Sequence, residues 1–290
     1  MLKINNLLLA FTLVACSQHE ILKKTFSFPK QLKELSGIEV TSKSKLIWTL
    51  MDSGNQPEIY AIDANGNLVQ TVVIANVKNN DWEDMTSDDA GNIYIGDFGN
   101  NHNTRKDLSI YKIDAAQLKN KNASVSQTVH FYLPEQKDFP PKKSEMIFDI
   151  ESFFISGNNF YLFTKNRSTK SSGETTLYEV PNQAGNHAAK LIGKFKTCDG
   201  FNHCAITSAD ISPDGKKVAL LSSSYVWLFT GFKGNNFFSG KSQQIDLENF
   251  SQKEGLCFSG NNKLLICDER KKKNGGNLYE LDLSQLEAKP

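Results

Sequence analysis

After residue 20 the chain is a succession of short apolar runs that close on polar residues and are separated by Gly, Asn, Asp and Pro turns. Runs of that length, bounded in that way, read as β-strands. They also repeat. The clearest strand recurs as KLIWTLMDSG from Lys45, NIYIGDFGN from Asn92, FYLFTKNR from Phe160, VALLSSSY from Val218 and KLLICDER from Lys263. A following strand recurs as EIYAID from Glu58, SIYKID from Ser109, TLYEVP from Thr176, YVWLF from Tyr225 and NLYELD from Asn277, with Tyr60, Tyr111, Tyr178 and Tyr279 in one register. A preceding strand opens near Ser36, Glu83, Glu151, Ala209 and Glu254, and turns such as DDAGN and SPDGKK join it to the next.

A fourth strand follows in four units, from Asn67, Val125, Ala189 and Lys241, and the last unit lacks one. The extended stretch ILKKTFSF from Ile21 supplies it. Repeats of this kind predict an all-β fold, a β-propeller of five four-stranded blades, with the N-terminal strand closing the last blade and hiding the sheet edges. A six-bladed ring stays the alternative, because the segment between Glu83 and Glu151 is long enough to hold irregular strands. Helix is nearly absent; only Asp114 to Lys119 suits a single turn.

This architecture locates a site. The first strand of each blade lines the central channel and runs antiparallel to the second, so first-strand starts and second-strand ends share one mouth. The starts bring Glu34, Asp81, Glu83, Asp84, Asp149, Glu151, Asp210 and Glu254; the ends bring Asp52, Asp97, Lys165, Arg167, Asp268, Glu269 and Arg270. The long loops fall at the same mouth, which marks it as the functional face. Carboxylates converging on an axis repel one another unless they are protonated, bridged by basic residues or neutralised by a cation. Oxygen ligands favour a hard cation, and Ca²⁺ tolerates irregular geometry. Glu83, Glu151 and Glu254, with Asp97, are the expected metal ligands. Asn100, Asn101, Arg105, Lys165, Arg167 and Glu269 are the expected substrate-binding residues, with the basic ones suited to a small anionic ligand. The competing expectation is that these acids cap turns or pair with Lys165, Arg167 and Arg270. His102, in NNHNTR, reads as a loop residue at that mouth.

The stretches ELSGI from Glu34, DWEDM from Asp81, IGDFGNNHNTR from Ile95, DIESF from Asp149, ADISPDGKKVALL from Ala209 and EGLCF from Glu254 resemble exported propellers of the SdiA-regulated and esterase-like phytase families. The resemblance implies a site at the acidic mouth and Ca²⁺ within it, with Glu254-Gly255 the best match to the lactonase-like ligand pattern. Ser36 and Ala209 lack the carboxylate of that pattern. Three functional classes stay open: a metal-stabilised binding or scaffold propeller, a Ca²⁺-dependent hydrolase of a phosphoester or lactone, and a metal-free protein-interaction module using the long loops.

Lys3, the apolar run from Leu7 to Ala15 and then Cys16 have the layout of a bacterial export signal, too short to span a bilayer. Leu13-Val14-Ala15-Cys16 resembles the lipobox, which implies cleavage before Cys16 and lipidation of its thiol. Residues 1–16 are therefore expected to be a lipoprotein signal and 17–290 one propeller domain. The expected location is the cell envelope, on the outer membrane where the host has one, with the membrane, an envelope protein or a small ligand as partners. In that oxidising compartment Cys198 and Cys204, bracketing a short loop, are expected to pair. Cys257 and Cys267 flank a hairpin in a register that does not oppose them, so a second bridge stays open. Thirty-three basic against 32 acidic side chains give a formal net charge of +1, which provides no field for nucleic acid. No nucleophile elbow, phosphate-binding loop or HExxH sequence occurs.

Overall fold

The computed structural model describes residues 21–170 and 173–287; Cys16 and its signal lie outside them. Strand β1 (Lys23–Ser27) comes first. Blade one is β2 (Leu35–Glu39), β3 (Ile47–Met51), β4 (Glu58–Ile62) and β5 (Leu68–Ala75). Blade two is β6 (Trp82–Ser87), β7 (Ile93–Asp97), β8 (Leu108–Ile113) and, after the detour β9 (Asn122–Ser124), β10 (Gln127–Tyr132). Blade three is β11 (Asp149–Ser156), β12 (Asn159–Lys165), β13 (Glu174–Pro181) and, after β14 (Gly185–Ala188), β15 (Lys190–Lys196). The short helix α1 (Phe201–Cys204) precedes blade four, β16 (Ser208–Ile211), β17 (Lys217–Leu221), β18 (Tyr225–Thr230) and β19 (Lys241–Asp246). Blade five is β20 (Lys253–Phe258), β21 (Lys263–Asp268) and β22 (Asn277–Asp282), completed by β1 pairing antiparallel to β22.

The fold is thus a five-bladed β-propeller, each blade an antiparallel meander, with the N-terminal strand as the closing latch. The detours were not expected from the sequence. β9 adds in parallel to the outer edge of blade one and β14 to that of blade two, so the chain twice steps back to cover its neighbour's exposed edge. The chain also makes one turn of 3-10 helix at Ala115–Gln117, within the stretch expected to do so.

Five apolar layers, one between each pair of adjacent blades, hold the ring together. The repeated tyrosines are part of this architecture. Tyr60, Tyr111, Tyr178 and Tyr279 are all buried, each in the layer facing the preceding blade, and Trp227 does the same for blade four. Cys198 and Cys204 form the expected disulfide, whereas Cys257 and Cys267 are free. The register explains this: Cys257 lies opposite Leu265 and Cys267 opposite Gly255.

Gly37, on β2, approaches β6 so closely that a Cβ would lie 2.9 Å from Asp84 Cα and from the Met85 nitrogen, and its φ is +51°. Backbone cannot give way as a flexible side chain can. Gly37→Ala is expected to lower unfolding free energy by about 2–4 kcal/mol, from left-handed strain plus overpacking, measured by equilibrium denaturation in urea.

Candidate functional site

In four blades the pairing of inner strand with second strand skips one residue. The skipped residues are Gly37, Glu83, Glu151 and Glu254. A bulge leaves its extra residue out of the ladder and re-aims the side chain. Three of the four bulges carry a glutamate, and all three glutamates line one cavity at the expected mouth. In blade four, β16 and β17 pair without a skip and bring no such residue.

The cavity, about 640 Å³, is lined on its charged side by Asp52, Glu83, Glu151, Glu254 and Glu269 and by Lys165, Arg167 and Lys271. Lys165, at the end of β12, neutralises much of the glutamate cluster. Its ammonium lies 2.9 Å from Glu151 Oε2, and Glu151, Glu254 and Glu83 together raise its pKa against the effect of burial. Arg167 binds Glu151 Oε1 at 2.9 Å and also pairs with Asp149. Burial pushes Glu151 upward, but these two cations outweigh it and hold the carboxylate below its usual range. Glu151 therefore has little left to offer a metal.

A different trio gathers. Oxygens of Asp52, Asp81 and Glu83 lie within 4.8 Å of one another, where blades one and two meet the mouth. Glu83 is only 5% exposed, and neither of its carboxylate oxygens accepts a hydrogen bond among the described residues. Burial, then Glu151, Asp52 and Asp81, push it well above the usual range. Burial and Asp52 push Asp81 to about 6. Gly99 forms the floor: a Cβ there would fall 2.2 Å from Glu83 Oε1 and 2.6 Å from Asp81 Oδ2. The set is oxygen-only, like-charged and rests on a glycine, with Ser53 donating to Asp52 and Asp81, and oxygen donors of this kind suit a hard cation. Of the expected ligands, Glu83 belongs to this trio, and Glu151 and Glu254 lie outside it.

Asp97, another expected ligand, is fully buried away from the cavity. It receives hydrogen bonds from Arg105 at 2.9 Å, the Asp81 N–H at 3.2 Å and the Tyr111 hydroxyl at 3.3 Å. Asp268 plays the same part in blade five, accepting from the Tyr279 hydroxyl at 3.0 Å. The shared position is architectural. Asn100 and Arg105 also serve the loop and not the cavity: the Asn100 N–H donates to Asp149 Oδ1, and Asn100 Oδ1 accepts from the Arg105 N–H. Asn101, Lys165, Arg167 and Glu269 do line the cavity, and His102 is exposed outside its lining.

Two aromatic residues at the mouth were missed in the sequence, Phe201 on α1 and Phe250 in the loop before β20. Their signal was present: each sits in a polar turn-forming stretch, DGFNH and ENFSQ, where no strand period accounts for a phenylalanine.

Fold and site together define a five-bladed propeller with an open, acid-rich cavity at the mouth where its inner strands begin. No protein-family model and no curated protein matches the chain. Among solved structures it is similar to a nidogen/laminin complex, at 11% identity over 88% of this chain and 78% of that one, TM-score 0.50. It is also similar to the PQQ-bound form of aldose sugar dehydrogenase from Streptomyces coelicolor, at 10% identity over 90% and 97% of the two chains, TM-score 0.54. At such identities the likeness shows the fold alone.

Several acids along the channel favour their protonated forms. Burial raises Asp210 to about 7, burial raises Glu254 to about 7 with Lys165 opposing and Glu151 adding, and burial, Glu254 and Asp52 raise Glu269 to about 7. The folded chain therefore binds these protons more tightly than the unfolded chain, whose carboxyls keep ordinary values, and stability falls as pH rises through about 7. In chelator, the thermal midpoint is expected to drop between about pH 5 and about pH 7.5, with a shallower drop in Glu254→Gln. A midpoint that climbs over that interval would contradict the assignment.

Proposed function

We propose that the protein is an envelope lipoprotein, anchored through Cys16, whose propeller mouth binds a small polar ligand together with Ca²⁺. The observation that carries this reading is the open cavity in which acids, cations and aromatic side chains from all five blades converge. A cavity of about 640 Å³ falls in the range of small-molecule sites. The cation belongs at Asp52, Asp81 and Glu83, whose mutual repulsion it relieves. The visible lining has five carboxylates against three cations, so an anionic group is welcome there only with the metal bound, beside Lys165, Arg167 and Lys271. The anchor is supported by Lys3, the Leu7 to Ala15 run and the Cys16 context.

The second reading, a Ca²⁺-dependent phosphoester or lactone hydrolase, is favoured by one feature. Glu83 is a buried carboxylate that accepts no hydrogen bond among the described residues and lines the cavity, a placement open to a general base. Binding is the preferred reading because the groups best placed to hold a reacting anion, Lys165 and Arg167, are already paired with Glu151 and Asp149.

Ca²⁺ is expected to raise the thermal midpoint of the chain from Ser17 onward and chelator to lower it. Binding to the folded state alone adds roughly 2.7 kcal/mol at one hundred times the dissociation constant. Asp52→Asn and Glu83→Gln should each remove the shift, and p-nitrophenyl phosphate should not be turned over. Absence of any Ca²⁺ shift in the wild type overturns the metal. Turnover that Glu83→Gln abolishes installs the hydrolase instead.

In a bacterial host, Cys16→Ser is expected to move the protein from the membrane fraction to the soluble fraction and to abolish labelling by a palmitate analogue. Retention of both would refute the anchor.

A further inference from the structure

Phe250 is 63% exposed, the most exposed large apolar side chain among the described residues, yet it does not hang free. Its ring lies 4.6 Å from that of His203, tilted by 35°, and His203 Nδ1 is held 2.8 Å from Ser224 Oγ. His203 belongs to α1, which the Cys198–Cys204 disulfide ties down. On the same helix Phe201 carries the Arg167 guanidinium 5.6 Å above its ring. The mouth thus presents an apolar ring to solvent on a braced support. Around it the lining is rich in hydrogen-bonding groups: the amides of Asn101, Asn202, Gln252 and Asn274, which donate and accept, and the acceptor carboxyls of Glu254 and Glu269.

A ligand that uses both features has one apolar face and a rim of groups that each donate and accept. An inorganic anion leaves the ring unused, and a flat heteroaromatic molecule leaves most of the amides unpaired. A sugar ring satisfies both, with its C–H face against an aromatic ring and its hydroxyls toward amides and carboxyls. Resting on the reading of this mouth as a small-ligand site, we propose that its ligand is a saccharide, stacked on Phe250 and hydrogen-bonded by Gln252, Asn202 and Glu254. Calcium at Asp52, Asp81 and Glu83 keeps open positions that take neighbouring hydroxyls.

The test is saturation-transfer NMR on the chain from Ser17 onward, which holds the whole closed ring, in Ca²⁺. The probes are maltose, cellobiose, lactose, diacetylchitobiose and digalacturonate, with inorganic phosphate as comparator. Transfer to the ring C–H protons of at least one sugar is expected. Its affinity should be about tenfold weaker in Phe250→Ser, with an unchanged thermal midpoint and an unchanged Ca²⁺ shift. No transfer from any of the five sugars, or equal affinity in Phe250→Ser, overturns the proposal. The Ca²⁺ shift is read separately: a shift without sugar transfer removes the saccharide and keeps the metal, and transfer without a shift does the reverse.

Discussion

The inner strands of the ring belong to different sheets, so backbone groups that face the next blade have no ladder to join. Buried backbone groups still require partners. Here side chains on adjacent inner strands provide them. Asp84 accepts from the Phe153 N–H, Ser208 accepts from the Leu256 N–H at 3.0 Å, and Asp210 accepts from the Phe258 N–H at 2.7 Å. Ser36 donates to the Glu83 carbonyl and Thr207 to that of Lys253. This need explains why a buried channel is built from acids and hydroxyls, and burial, opposed by these same hydrogen bonds, raises the pKa of Asp84 and Asp210. The apolar work is done between the blades, by tyrosine, tryptophan and the aliphatic second and third strands.

The mouth follows from the same geometry. Bulges at the inner-strand starts turn Glu83, Glu151 and Glu254 toward one space, where Coulomb repulsion must be met. Lys165 and Arg167 meet it on the blade-three side and fix Glu151 as a charged, fully engaged group. On the side of blades one and two no ion pair to Glu83 forms among the described residues, and Asp52 and Asp81 add to the excess of negative charge, with Arg105 opposing only at Asp81. The cavity is consequently polarised, with an ion-paired wall, a less compensated acidic corner and an aromatic rim.

Much of this was written in the order of the residues. The apolar runs and their turns carried blade number, strand order and the closing role of Ile21 to Phe28, and they placed the acids of the mouth on the right face. The choice among those acids was not legible. Asp97 and Asp268 each end an apolar run just as a ligand would, and only the reach of Tyr111 and Tyr279 turns them into braces. A one-residue skip leaves no mark in a strand as short as Trp82–Ser87, so the aim of Glu83 could not be derived. β9 and β14, with the sequences NAS and GNHA, are too short and too polar to show a period. Pairing of Lys165 with Glu151 spans neighbouring strands, but its priority over a metal depends on distances that no spacing encodes.

The latch has a bearing on how the molecule is made. Ser27 finds its partner at Asn277, 250 residues later, so the ring's first strand in chain order pairs only with its last. Four blades can assemble in sequence from neighbouring segments, while β1 waits as a loose end with unsatisfied amides. Completion of the ring is then a single late event that joins the two ends of the domain. A chain cut short anywhere before β22 keeps an open seam, with the apolar layers on either side of blade five exposed at once. The cavity, whose wall includes Glu254 and Glu269 from that blade, exists only after the seam has shut, so the mouth is completed by the same pairing that closes the ring.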